Sequence, residues 1–300
     1  MLRNCSQNLL GTAYVLFSAL MYATLPILVK LAYSVGLGPG NTLLLRYIFS
    51  FILLSGFIKL FSHGRLLSLS PLVIVQGMLI LGSGLFYFSA LKTLPAGMAT
   101  VVFFTHPVLV AILSLFVFKE KFAPRLFLGL ALALGGIVLI SGLLGGEQAL
   151  SGRGIVWVLL ACLCYTFYSL IGQKTLAEYE PLSITATLSL VGVIILIPVY
   201  HSELGFIQHL TGQQILVTLA MAVLNTLLAV LFFLKGLQKI GASRASLIST
   251  AEPVFCLLLA FIVLRESLTL PELIGSVLVF ASMLLAVYPR SSDLSGPGSG

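Results

Sequence analysis

His106 and Glu252 each stand immediately before a proline inside a long apolar run, in Thr105-His106-Pro107-Val108 and Ala251-Glu252-Pro253-Val254. Ionisable groups in such surroundings are costly, so they usually face a cavity or a partner. A histidine and a carboxylate can bind a polar solute or carry a proton. The proline after each removes one helical hydrogen bond and can free a carbonyl toward a cavity. The competing reading is a structural contact that holds two helices together.

Arg46 could clamp a carboxylate with two parallel hydrogen bonds. Equally, it could reach out to lipid headgroups, which is the slightly favoured reading. Asn225, with Thr226 beside it, could bind solute or hydrogen-bond a neighbouring helix, and interhelical bonding is the favoured role. Tyr22, Tyr87, Tyr165, Tyr168 and Trp157 could line a cavity, although tyrosine and tryptophan also favour membrane interfaces and helix packing. Glu120 and Glu266, beside Lys119 and Arg265, read as turn-capping residues.

Other chemistries find little support. Gly82-Ser83-Gly84 follows no strand, so it is not a nucleotide loop. Cys5, Cys162, Cys164 and Cys256 have no metal or redox spacing. There is no HExxH pair and no nucleophile elbow, which argues against an intramembrane enzyme. Neither a cofactor nor a metal is expected.

The elements that must position these residues are membrane helices. Of 300 residues, 59% are apolar and only 8% charged, far below the roughly 25% of soluble domains. The net charge of +7 is spread singly between apolar runs, which points to topology and away from nucleic acid. A spanning helix needs about 20 apolar residues. Ten runs qualify: 9–31, 42–61, 72–92, 96–118, 125–143, 154–174, 182–200, 213–237, 243–264 and 271–289. The first is too long for a signal-peptide core. The Ser/Gly/Pro-rich residues 291–300 read as a disordered tail.

Residues 84–143 resemble residues 230–289 at a constant offset of 146, which pairs His106 with Glu252. Tyr14/Trp157 and Tyr22/Tyr165 pair at an offset of 143. Five spans per half is an odd number, so the halves, 1–146 and 147–290, enter the bilayer in opposite directions. His106 and Glu252 then reach the same depth near the midplane, where inverted repeats place a shared site. With the N-terminus in the cytoplasm, eleven Lys and Arg fall on the cytoplasmic side and four outside, and Arg46 belongs to neither. Both termini are therefore expected in the cytoplasm. Gly77, Gly82, Gly84, Gly129, Gly135 and Gly136 are expected to let helices approach closely.

The segments His106-Pro107 to Gly129 and Glu252-Pro253 to Gly275 resemble the EamA-type permeases, the ten-helix branch of the drug/metabolite transporter superfamily. The resemblance covers nearly the whole chain, and the second copy, with Arg265-Glu266-Ser267-Leu268-Thr269, carries it best. It implies an all-α integral membrane protein and export of an amino acid or similar metabolite. Without an ATP-binding motif, the energy would come from a gradient, such as protons, or from the solute itself. An uncoupled carrier or importer of the same fold stays open. The partners expected are the lipid bilayer and a small organic solute, with the chain acting as a monomer or homodimer in the cell membrane.

Overall fold

The computed structural model describes residues 2–61, 65–91, 93–94, 96–119, 124–141, 152–200, 205, 207, 209–259, 261–262 and 269–287. Glu120, Glu266, Lys92, Lys121, Arg265, Arg290 and the tail 291–300 lie outside them. The described chain is all-helical. In a bilayer every backbone polar group must be satisfied within the segment, and helices do this without an edge.

Four spans are single helices in the first half of the chain or its counterpart: α3 (Pro39–Phe61), α4 (Pro71–Leu91), α8 (Gly152–Thr175) and α9 (Pro181–Val199). Two shorter apolar helices, α7 (Pro124–Ile140) and α14 (Leu270–Val287), complete the halves. The remaining four spans are interrupted. The first consists of α1 (Leu2–Ala23) and α2 (Leu25–Ser34), the fourth of α5 (Ala96–Phe103) and α6 (His106–Val117). The eighth is α10 (Gly212–Met221), a π-helical turn (Ala222–Leu228) and α11 (Ala229–Ile240). The ninth is α12 (Ala242–Ser249) followed by α13 (Glu252–Leu259). The apolar runs 9–31, 96–118, 213–237 and 243–264 are each continuous in sequence, so these interruptions are a finding of the structure. Pro26, Pro107 and Pro253 explain three of the breaks, because each lacks the N–H that would continue the ladder.

The duplication survives at the level of single residues. Helices α5 and α12 start at Ala96 and Ala242 and end at Phe103 and Ser249, and α6 and α13 start at His106 and Glu252. Every one of these pairs is separated by 146 positions. Packing follows the same exchange. Helix α4 packs on α8, and its counterpart α11 packs on α1; α7 packs on its own counterpart α14, and α3 on α9. The molecule is thus ten spans in two five-helix repeats of inverted topology.

Close crossings depend on glycine at a few points. A Cβ on Gly136 would meet the Gly275 carbonyl oxygen at 2.5 Å, and one on Gly77 would meet Val191 at 2.9 Å. Gly129 is also tight, but Gly84 and Gly135 face open space and Gly82 makes only ordinary contacts, so these three do not serve helix approach.

The two ends of the bundle differ. Toward the end that holds the N-terminus, the turn at 176–180 and Gly241, side chains from both repeats pack solidly. Val15, Val110, Tyr168, Leu170, Phe233, Leu234, Leu237, Leu247 and Ile248 share this core. Polar bonds clamp the same end: the Ala242 N–H donates to Gln173 Oε1 at 2.6 Å, and Gln238 Nε2 donates to the Leu176 carbonyl at 3.0 Å. Toward the opposite end the helices separate around a cavity.

Candidate functional site

The cavity has a volume of about 540 Å³ and runs from the middle of the bundle toward the end remote from the N-terminus. Both repeats build it. Tyr22, Arg46, Tyr87 and His106 come from the first, and Tyr165 and Glu252 from the second. Its size suits a small organic molecule.

His106 and Glu252 are the first residues of α6 and α13, so each sits at a half-helix N-terminus near mid-bundle. His106 is buried to 1% exposure. Pro107 leaves the Phe103 carbonyl without a helical donor, and His106 Nδ1 lies 3.1 Å from that oxygen. Its ring is held edge-on against Tyr165, with centroids 4.6 Å apart. His106 Nε2 is buried and finds no partner among the described residues. Glu252 keeps partial exposure on the cavity wall.

Arg46 lies two turns into α3 and is 7% exposed. It does not extend to the membrane surface. Its Nε donates to Thr226 Oγ1 at 2.8 Å, and its guanidinium carbon lies 5.4 Å from the Tyr47 ring centroid. Tyr22 sits within electrostatic reach of both Arg46 and Glu252. One cavity therefore carries a guanidinium, a carboxyl group and an imidazole in a mostly apolar wall whose aromatic part is Tyr22, Tyr47, Tyr87, Phe88, Phe103, Phe104 and Tyr165. Tyr87 is steadied by Thr100, with their hydroxyl oxygens 3.2 Å apart.

The other three sequence-chosen residues, Asn225, Tyr168 and Trp157, lie off the cavity wall. Asn225 is fully buried in the π-helical turn, and its Nδ2 donates to the Met21 carbonyl at 2.7 Å and to Thr24 Oγ1 at 3.0 Å. It closes the break in the first span, which is the interhelical role. Tyr168 lies behind Tyr165, with ring centroids 5.4 Å apart, and stacks on Phe233 at 6.1 Å. It belongs to the packed end of the bundle. Trp157 stacks on Phe86 at 5.5 Å away from the cavity.

Sequence reasoning did not assign Tyr47 or Cys256 to the site, and it named Thr226 only as the neighbour of Asn225. Cys256 lines the cavity one helical turn beyond Glu252, and its thiol donates to the Ala23 carbonyl at 3.5 Å. Its spacing of four from Glu252 was a usable signal. Thr226 lies in the π-helical turn and faces Arg46, while its neighbour Asn225 faces the first span.

A ten-span inverted repeat around an apolar cavity that holds Arg46, His106 and Glu252 has the architecture of a membrane transporter. The chain belongs to the EamA-like transporter family, whose pattern matches residues 9–142 and again 152–288. It is 28% identical over 193 residues to an uncharacterized inner membrane transporter, YicL, of Salmonella typhimurium; the match covers 63% of each chain, just under two thirds of that relative's length. An uncharacterized transporter, YxxF, of Bacillus subtilis is 27% identical, with 75% of this chain and 72% of that protein covered. A probable amino-acid metabolite efflux pump of Salmonella typhimurium is 30% identical, with 73% and 80% covered. A crystal structure shares the fold with a TM-score of 0.77 at 20% identity, covering 92% of this chain and 96% of that one.

Proposed function

We propose that this protein is a secondary transporter that exports an amino acid or related small metabolite by alternating access. One observation carries the reading: the pseudo-equivalent His106 and Glu252 line the same mid-bundle cavity, with Arg46 in its wall. A guanidinium and a carboxyl group in one small chamber complement a zwitterion, with Arg46 taking the carboxylate and Glu252 the ammonium. The aromatic wall accommodates an apolar side chain. The efflux pump named above agrees with this substrate class.

With both termini in the cytoplasm, the orientation the charge bias favours, the cavity opens outward and the packed end faces the cytoplasm. Tyr168, Phe233 and Leu247 then seal the inner route. Their repeat counterparts Leu25, Tyr87 and Val101 would seal the outer route in the alternate state, as the two repeats, divided near residue 146, exchange conformations. Glu252 is the group that couples this exchange to protons. The cavity is complete within one chain, so a monomer is a sufficient unit, and the protein acts as a carrier with no covalent chemistry.

The test is flux in proteoliposomes. Purified protein should move radiolabelled amino acids, and an imposed proton gradient should drive net transport. Failure of any amino acid to exchange across the membrane would refute the substrate assignment.

A further inference from the structure

The His106 ring is fixed in one hydrogen-bonding sense. Pro107 strips the Phe103 carbonyl of its helical donor, and that oxygen, which can only accept, lies 3.1 Å from His106 Nδ1. Nδ1 must therefore carry the proton. In the neutral ring this leaves Nε2 as a bare lone pair. Nε2 is buried, lacks a partner among the described residues, and belongs to a residue that lines the cavity. Tyr165, Phe103 and Phe104 pack around the ring, with centroids 4.6, 5.2 and 5.7 Å away, so it cannot easily turn to offer its other nitrogen.

We infer that His106 Nε2 is an acceptor subsite that requires an N–H on the solute's amine. The inference rests on the amino-acid reading above and deepens it. Positive charge alone would not separate a free amine from a fully methylated one. Glu252 attracts both, and an aromatic wall holds a quaternary ammonium well. A lone pair on a fixed ring does separate them, because methylation removes every donor and leaves the buried nitrogen unpaired. The repeat equivalents His106 and Glu252 thus present two acceptors, while Arg46 presents donors. A solute with donors at one end and acceptors at the other fits this division.

The experiment compares L-phenylalanine, L-leucine and L-threonine with their N,N,N-trimethyl derivatives, which keep the positive charge and lose the N–H. Affinities are measured by thermal shift and by inhibition of exchange, in wild type and in His106→Phe. Wild type should bind at least one free amino acid tenfold or more tighter than its trimethyl partner. In His106→Phe that ratio should fall to within about threefold, and in His106→Gln, which retains an acceptor, it should partly recover. A purely structural histidine would weaken both probes alike and leave the ratio in place. Equal binding of a pair by wild type overturns the inference, as does a preserved ratio in His106→Phe. Should that variant not fold, His106→Leu is read the same way. If wild type binds none of the free amino acids, the substrate reading falls first and takes this subsite with it, whereas binding without discrimination removes the subsite alone.

Discussion

Arg46 Nε lies 2.8 Å from Thr226 Oγ1, a bond that joins α3 of the first repeat to the π-helical turn of the second. Arg46 is thereby held inside the bundle, in the wall of the cavity. Local widening of a helix into a π turn is often found at functional sites, and here it brings a hydroxyl to a buried guanidinium.

Arg46→Lys is expected to lower solute affinity about tenfold or more, since a lysine cannot reproduce a planar two-bond clamp. Thr226→Val should weaken affinity less, because it removes one supporting bond and leaves the charge. Both follow from thermal-shift titration with amino acids. Equal affinities for wild type and Arg46→Lys would show that Arg46 supports the fold without touching solute.

Asn225→Ala removes two hydrogen bonds that close the break between α1 and α2. Interhelical bonds of this kind contribute about 1 kcal/mol in membranes. The variant should melt earlier in detergent yet keep the solute preference of wild type. A changed preference with unchanged melting would move Asn225 into the binding machinery.

Glu252→Gln keeps the shape of the side chain and removes its ability to exchange a proton. Net flux driven by an imposed pH gradient should disappear, while exchange of labelled for unlabelled solute should persist at saturating solute with a raised half-saturation concentration, because the amide lacks the charge that meets the ammonium. Gradient-driven flux at the wild-type rate would exclude Glu252 as the coupling group.

Cys256 lines the cavity, whereas Cys162 is buried and its sulfur lies 3.4 Å from Thr105 Oγ1. In a protein that retains only Cys256, a membrane-impermeant maleimide added from outside should label it, and bound amino acid should slow labelling several-fold. Labelling only from the cytoplasmic side would reverse the assigned direction of the opening. A protein that retains only Cys162 should stay unlabelled while folded.

Much of the cavity wall is legible in the sequence. The prolines at 107 and 253 and the constant offset marked His106 and Glu252 as partners, and all that remained was to see that the spans break there. Tyr22 and Tyr165 were legible as repeat mates and both reach the cavity. Pro26 in the first run is the sequence mark of the break between α1 and α2. The π turn gave no warning, because Ala222 to Leu228 contains neither glycine nor proline.

The ten apolar runs, the odd count per half and the distribution of Lys and Arg follow from sequence because a bilayer leaves the backbone little choice. Each run must satisfy its own hydrogen bonds, and each loop charge resists crossing. Which way a polar side chain turns is a different matter. Helices that are apolar on every face carry little periodicity to separate cavity from lipid or from a neighbouring helix. Only packing decided that Arg46 points inward to Thr226, that Asn225 mends the first span, and that Tyr168 plugs one end while Tyr165 faces the chamber.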